Sequence, residues 1–130
     1  MNIDKIQTHT DKRGNLSIVD FSFLPFIPVR MFYINEVPKN EIRGQHAHYK
    51  TKQYFICLNG KVEVILYNGY KEEKLTLTKN EGIFIDKLIW DSQKYLTEND
   101  MILVLASTPY IKDDYITDIN VFTKIINKTI

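Results

Sequence analysis

Only one cysteine and three histidines occur among the 130 residues. The single thiol, Cys57, excludes an internal disulfide. Its place in the apolar run QYFICLNG marks it as a buried, inert side chain with no base nearby in sequence. Charge is not in excess either: 17 Lys and Arg against 16 Asp and Glu give a formal net charge of +1. A general nucleic-acid binder would show a basic excess or stripe, so that class is excluded. The N-terminal stretch MNIDKIQTHTDKRGN lacks a continuous apolar run. Neither a secretion signal nor a membrane anchor is therefore expected, and the chain reads as a soluble cytoplasmic protein. Repeats, linkers and low-complexity segments are missing too. The length suits one domain, residues 1–130.

What is present is strand signal, with 44% hydrophobic residues to supply a core. GNLSIVDF alternates after the turn-like DKRGN, and VRMFYINEV is apolar and aromatic up to Pro38. KQYFICLNG and KVEVILYNG meet at Asn59-Gly60, and Asn68-Gly69 turns the chain into YKEEKLTLT. Asn-Gly accepts the positive φ angles of a tight hairpin turn, so both sites predict hairpins. NEGIFI, KLIWDSQKY and DMILVLAS read as further strands. Only Asp118 to Lys128 looks helical, with Val121, Phe122 and Ile125 on one face. A single sheet of this size leaves open edges and a wet apolar face, so the strands predict an all-β sandwich or barrel. A small barrel also has a mouth, a natural place for a ligand.

Two of the scarce histidines stand one residue apart in RGQHAHYKTKQ. In an extended strand, residues two apart share a face at a spacing of about 6–7 Å. His46 and His48 are thus predicted to point into one space, with Ala47 turned away and Gly44 allowing a bend or close backbone approach. Such a pair suits a metal or proton transfer. All three arginines, Arg13, Arg30 and Arg43, lie in the first third of the chain. Arginine makes forked contacts with phosphate or carboxylate.

Gly44, His46 and His48 resemble the first motif of the cupin superfamily, in which a glutamate follows and a second motif supplies a third histidine. Here Gln53 stands where the glutamate belongs, then Gly60, and Trp90 stands about where the third histidine would be. Gln ligates weakly and Trp not at all. The pair is therefore read as an acid–base site with no metal and no cofactor, since imidazole suits taking and returning a proton near neutral pH. The resemblance implies a cupin-type double-stranded β-helix (a jelly roll) with a short C-terminal helix.

RGQHAHYKTKQYFICLNGKVEVILYNG further resembles the sugar-nucleotide 3,4-ketoisomerases of the WxcM-like group. So do DKRGNLSIVD with LPFIPVRMFYI, then GIFIDKLIWDS, and LVLASTPYIKDDYITD, in that order and over nearly the whole chain. This resemblance implies an enzyme that moves the carbonyl of dTDP-4-keto-6-deoxyglucose from carbon 4 to carbon 3. It implies metal independence, a homodimer, and a product that is aminated for surface polysaccharides such as O-antigen. The residues then take roles: His48 as principal base with His46 as partner, in either order. Arg43, Arg13 and Arg30 become candidates for the diphosphate or the enediolate. Tyr33, Gln53 and Trp90 become candidate substrate contacts. A dTDP-sugar 3,5-epimerase and a non-catalytic sugar-nucleotide-binding cupin are the alternatives.

Overall fold

The computed structural model describes residues 1–128. Twelve strands and one α-helix follow in order: β1 (Asp4–Lys5), β2 (Gln7–Asp11), β3 (Gly14–Ile18), β4 (Arg30–Ile34), β5 (Ile42–His48), β6 (Gln53–Asn59), β7 (Lys61–Tyr67), β8 (Glu72–Thr78), β9 (Glu81–Ile85), β10 (Trp90–Tyr95), β11 (Met101–Ala106), β12 (Tyr115–Ile116) and α1 (Ile119–Lys128). Two antiparallel five-stranded sheets form, ordered β1-β9-β6-β11-β4 and β12-β5-β10-β7-β8. Strands β2 and β3 make a separate exposed ribbon. The two large sheets pack face to face as a cupin-type jelly roll.

Alternation decides which side chains fill the space between the sheets. Phe55 and Cys57 of β6, Ile83 and Ile85 of β9, and Ile102 and Val104 of β11 meet Val62, Val64 and Leu66 of β7, Leu77 of β8 and Tyr95 of β10. Strand β6 is apolar on its other face too: Tyr54 and Ile56 pack with Ile6, Leu24 and Leu105 under the N-terminal segment. Being covered on both faces explains why β6 reads as a continuous apolar run rather than an alternating one. Cys57 is fully buried there, and burial pushes its thiol up to about 11, consistent with an inert side chain.

Two expectations need correction. Asn68-Gly69 does close a hairpin, pairing Tyr67 with Glu72. Asn59-Gly60 does not. Strand β6 pairs with β9 and β11, whereas β7 pairs with β8 and β10, so the turn carries the chain from one sheet to the other. Gly60 has φ +83°, and a Cβ there would meet the carboxylate of Asp100, which caps the turn through Lys61 N–H at 3.1 Å and Thr97 N–H at 2.9 Å. Asn-Gly reports the backbone conformation of a turn; the partners of the flanking strands are set by both faces of β6 being apolar.

The helix begins at Ile119, with the Asp118 carboxylate accepting from Asn120 N–H at 2.8 Å. Its buried face holds Phe122 and Ile125 as expected, but not Val121. Phe122 is fully buried, with Ile125 and Ile126 beside it, while Val121 is on the exposed side. Val121 and Phe122 are adjacent, about 100° apart on a helix, and the larger ring takes the core position.

Candidate active site

The site is built on β5, which carries Arg43, His46 and His48. Residues 43 and 46 are an odd number apart, so in a regular strand their side chains would lie on opposite faces. A β-bulge changes this. Gly44 pairs with Ser92 and His46 with Asp91, leaving Gln45 as the extra residue. Both bulge residues have positive φ, +87° at Gly44 and +61° at Gln45. Glycine is needed at 44 for a second reason: a Cβ would come within 2.7 Å of the Gln93 amide nitrogen. The reset register brings Arg43 and His46 to one cavity of about 280 Å³, shared with Phe32, Gln53, Gln93 and Tyr115. Ala47 faces the other way, into the cluster of Trp90, Ile116 and Phe122 under α1.

His46 and His48 stand edge to face with ring centroids 5.1 Å apart. Tyr115 closes on both, 5.2 Å from His46 and 4.4 Å from His48. Tyr115 is there because β12 pairs with the end of β5, residue 115 opposite His48. The preceding residue, Asp114, is the anchor. Its buried carboxylate accepts from Lys50 N–H at 2.8 Å, from Thr51 N–H at 3.1 Å and from the Thr51 hydroxyl. It also lies 3.3 Å from His48 Nδ1, close but off the line of a well-formed hydrogen bond. Burial raises the Asp114 pKa. The hydrogen bonds from Thr51 and Lys50 outweigh it and hold the carboxyl below its ordinary value, so Asp114 is an anion.

Both imidazoles are neutral at pH 7. Burial, helped by His46 and Arg30 and opposed by Asp114, pushes His48 down to about 4. Burial also lowers His46, against a raising hydrogen bond to the Gly44 backbone. Two neutral imidazoles in contact form a base ready to take one proton.

Arg30, on β4, shares an inward face with Phe32. Its guanidinium lies 5.3 Å from the Phe32 ring and 5.9 Å from the Tyr110 ring. Among the described residues, neither Arg30 nor Arg43 makes a salt bridge. Among the described residues, the buried side-chain nitrogen and oxygen atoms without a hydrogen-bond partner are Arg30 Nε, both ring nitrogens of His48, Gln53 Oε1 and Asp91 Oδ2. All belong to residues on this cavity or next to it. Buried polar atoms are otherwise satisfied as a rule, so such a cluster marks a place for a polar ligand.

The structure does not bring every sequence candidate here. Arg13 sits at the tip of the β2–β3 ribbon, 84% exposed and bound to Asp11 at 2.6 Å, and does not line the cavity of His46. Tyr33 is outward on β4 and 60% exposed, because Phe32 and Ile34 take the core positions on either side. It stands only at the cavity rim. Trp90 packs on Phe122 at 5.8 Å under α1, on the face of β10 opposite to Asp91 and Gln93. The residues missed in the sequence are Asp114, Tyr115, Asp91 and Gln93. They are brought to the histidines by strand pairing between distant segments, and no local pattern announces that.

The donor set does not fit a cupin metal. Gln53 stands in place of a carboxylate, Trp90 lies outside the cavity, and among the described residues no three His, Cys, Asp or Glu side chains group to hold an ion.

A cupin-type jelly roll whose cavity is lined by His46 and Arg43, with the neutral His48 imidazole against His46 and Arg30 near it, defines the class. The particular family follows from comparison: the FdtA family model, described as WxcM-like, C-terminal, matches residues 1–127, and the chain belongs to that family. A TDP-4-oxo-6-deoxy-alpha-D-glucose-3,4-oxoisomerase of Aneurinibacillus thermoaerophilus is 35% identical over 120 residues, covering 91% of this chain and 86% of that protein. The structure of the sugar 3,4-ketoisomerase QdtA of Thermoanaerobacterium thermosaccharolyticum in complex with TDP superposes with a TM-score of 0.92 at 33% identity, covering 98% of this chain and 95% of the other. WlaRA, a TDP-fucose-3,4-ketoisomerase of Campylobacter jejuni, gives 0.88 at 32%, covering 98% and 96%. The rmlC epimerase of Mycobacterium tuberculosis shares the fold at 15% identity, with a TM-score of 0.75.

Proposed function

We propose that this protein is a TDP-sugar 3,4-ketoisomerase acting on dTDP-4-keto-6-deoxyglucose. The observation that carries this reading is the neutral His46–His48 pair beside the unpaired Arg30 and Arg43, in a chain whose 30–35% identical relatives are 3,4-ketoisomerases. The hydrogen on carbon 3 is acidified by the ketone at carbon 4. One neutral imidazole, His48 in our assignment, removes it, and the electron pair moves to the carbon 4 oxygen as an enediolate. That oxygen takes up a proton, the carbon 3 hydroxyl gives one up, and carbon 4 is protonated. The carbonyl now stands at carbon 3, with no net loss of atoms or electrons. His46 shuttles the proton or stabilises the enediolate. Arg43 and Arg30 hold the diphosphate, and Gln53 presents its free carbonyl oxygen to a sugar hydroxyl. Incubating the dTDP-keto sugar in deuterium oxide and following it by proton NMR tests this. Conversion to a 3-keto sugar labelled at carbon 4 is expected; exchange without product, or an epimer at carbon 5, contradicts it.

The 3-keto product is the electrophile that an aminotransferase needs, so we place the reaction in deoxyamino-sugar synthesis for surface polysaccharides such as O-antigen, in the cytoplasm. Turnover should survive exhaustive chelation with EDTA, because the cavity offers no ligand set. Loss of activity restored by one divalent ion would contradict this. A homodimer is also part of the proposal. Phe21, Phe23, Ile27, Val29, Met31 and Tyr33 are all exposed along one segment that ends on the open edge strand β4. An apolar stretch of that length beside an unpaired edge favours a self-complementary interface. Light scattering at micromolar concentration should give about twice 15.3 kDa; a monomer mass would count against it.

A further inference from the structure

Asp91 has no place in the reaction described above. It is fully buried on β10, directly across the strand pair from His46. One carboxyl oxygen accepts from the Gln93 amide at 2.5 Å, and the other has no partner among the described residues. Gln93 in turn accepts from the Tyr95 hydroxyl at 3.3 Å and lines the cavity beside Arg43, Gly44 and His46. On β5, His46 stands opposite Asp91 and Arg43 opposite Gln93; on its own strand, Gln93 and Tyr95 share its face. Strand β7 offers only Leu66 and Val64 there. Among the described residues no cation contacts the carboxyl. A carboxylate buried in this way would carry an uncompensated charge.

We infer that Asp91 is a positioning residue that works as a neutral acid: protonated, it fixes the Gln93 amide for the substrate, and loss of its proton turns the site off. The inference rests on the ketoisomerase reading. Gln93 is the group that touches the sugar, at the oxygen where negative charge develops. A negative Asp91 behind it would repel that charge. Burial moves the Asp91 carboxyl up to about 7, with the Gln93 hydrogen bond pulling it back, so the change falls in the working pH range. The Gly44 bulge makes room for the arrangement, since a Cβ there would press on both Gln93 and Asp91.

Asp91→Asn keeps the shape and neutrality of the acid and removes its titration. The wild-type kcat should fall as pH rises above about 7, close to tenfold per pH unit once the acid is ionised. Asp91→Asn should match the wild type within about threefold at pH 6 and lose that alkaline fall, so that it is about tenfold faster than wild type at pH 8.5. Asp91→Ala should lower kcat about tenfold below wild type at pH 6 with KM little changed, show no alkaline fall of its own, and be rescued at pH 6 by Asn. A second readout needs no turnover. Asp91 binds its proton more tightly folded than unfolded, so folding stability falls as pH rises from about 4 through 7. The melting temperature of Asp91→Asn relative to wild type should therefore climb across that window, by about 4 °C or more. If the chain proves to have no ketoisomerase activity, this melting difference still decides whether Asp91 holds a proton. A flat difference, or identical alkaline limbs in active wild type and Asp91→Asn, overturns the inference.

Discussion

His48→Asn should leave the fold and dTDP binding intact and lower turnover by about 10² or more, the usual size of a general acid–base contribution. Asn retains a polar group of similar reach, and the arginines assigned to the diphosphate are untouched. The loss should appear in kcat rather than KM, because the proton moves only in the transition state. Deuterium incorporation from solvent should fall in parallel. His46→Asn separates the two roles: if it exchanges deuterium into substrate but forms no product, His48 abstracts and His46 returns the proton. Near-normal turnover in both variants would defeat the acid–base assignment.

The same residue sets an acid limit. The base must be neutral, and burial holds His48 at about 4. On the acid side, kcat/KM should stay level from pH 7 to 6 and fall only toward 4–5; a midpoint at the ordinary imidazole value would show that His48 is not the base. The sign for stability follows from linkage. Between pH 6.5 and 4 the unfolded chain takes up a proton at residue 48 that the folded chain refuses, so this group costs stability as pH falls through that window. His48→Asn removes the effect, so its melting temperature relative to wild type should rise as the pH is lowered.

Much of this was legible in the residues, for identifiable reasons. The period of two in His46-Ala47-His48 is a property of any strand, and it alone places both imidazoles on one side. The alternating and doubly apolar strands show that two sheets must pack. What the sequence does not display is pairing between distant segments. The Gly44 bulge depends on β10 lying beside β5, and without it Arg43 faces away from the histidines. Trp90 reads as a cavity residue because the cupin motif it resembles has a ligand at about that place. Alternation along β10 sends Asp91 and Gln93 inward instead, and α1 covers the indole. Tyr33 was equally ambiguous until Phe32 and Ile34 were seen to fill the core. Arg13 is attached to a ribbon that folds apart from both sheets, which composition gives no means to foresee.

Asp114 carries the second large effect. Asp114→Ala removes the acceptor for Lys50 N–H, Thr51 N–H and the Thr51 hydroxyl at once, in a part of the chain where water cannot easily replace it. Buried donors left unsatisfied cost about 1–3 kcal/mol each, so a loss of about 3 kcal/mol or more is expected. For a domain of this size that is roughly 10 °C in melting temperature. Asp114→Asn keeps one oxygen for the two Thr51 donors, gives up the acceptor for Lys50 N–H, and should recover part of that stability. It should not recover the rate. The Asp114 charge raises the basicity of His48 against burial, so a neutral amide leaves a weaker base. In Asp114→Asn, kcat at pH 7 should fall by about tenfold with KM for the sugar nucleotide unchanged, and the acid limb should move to still lower pH. These two readouts divide the possible roles of the residue. A stable Asp114→Asn protein with full turnover and an unmoved limb would make Asp114 an anchor for the β5–β6 connection and nothing more. A slow one with a displaced limb shows that the carboxylate tunes the base.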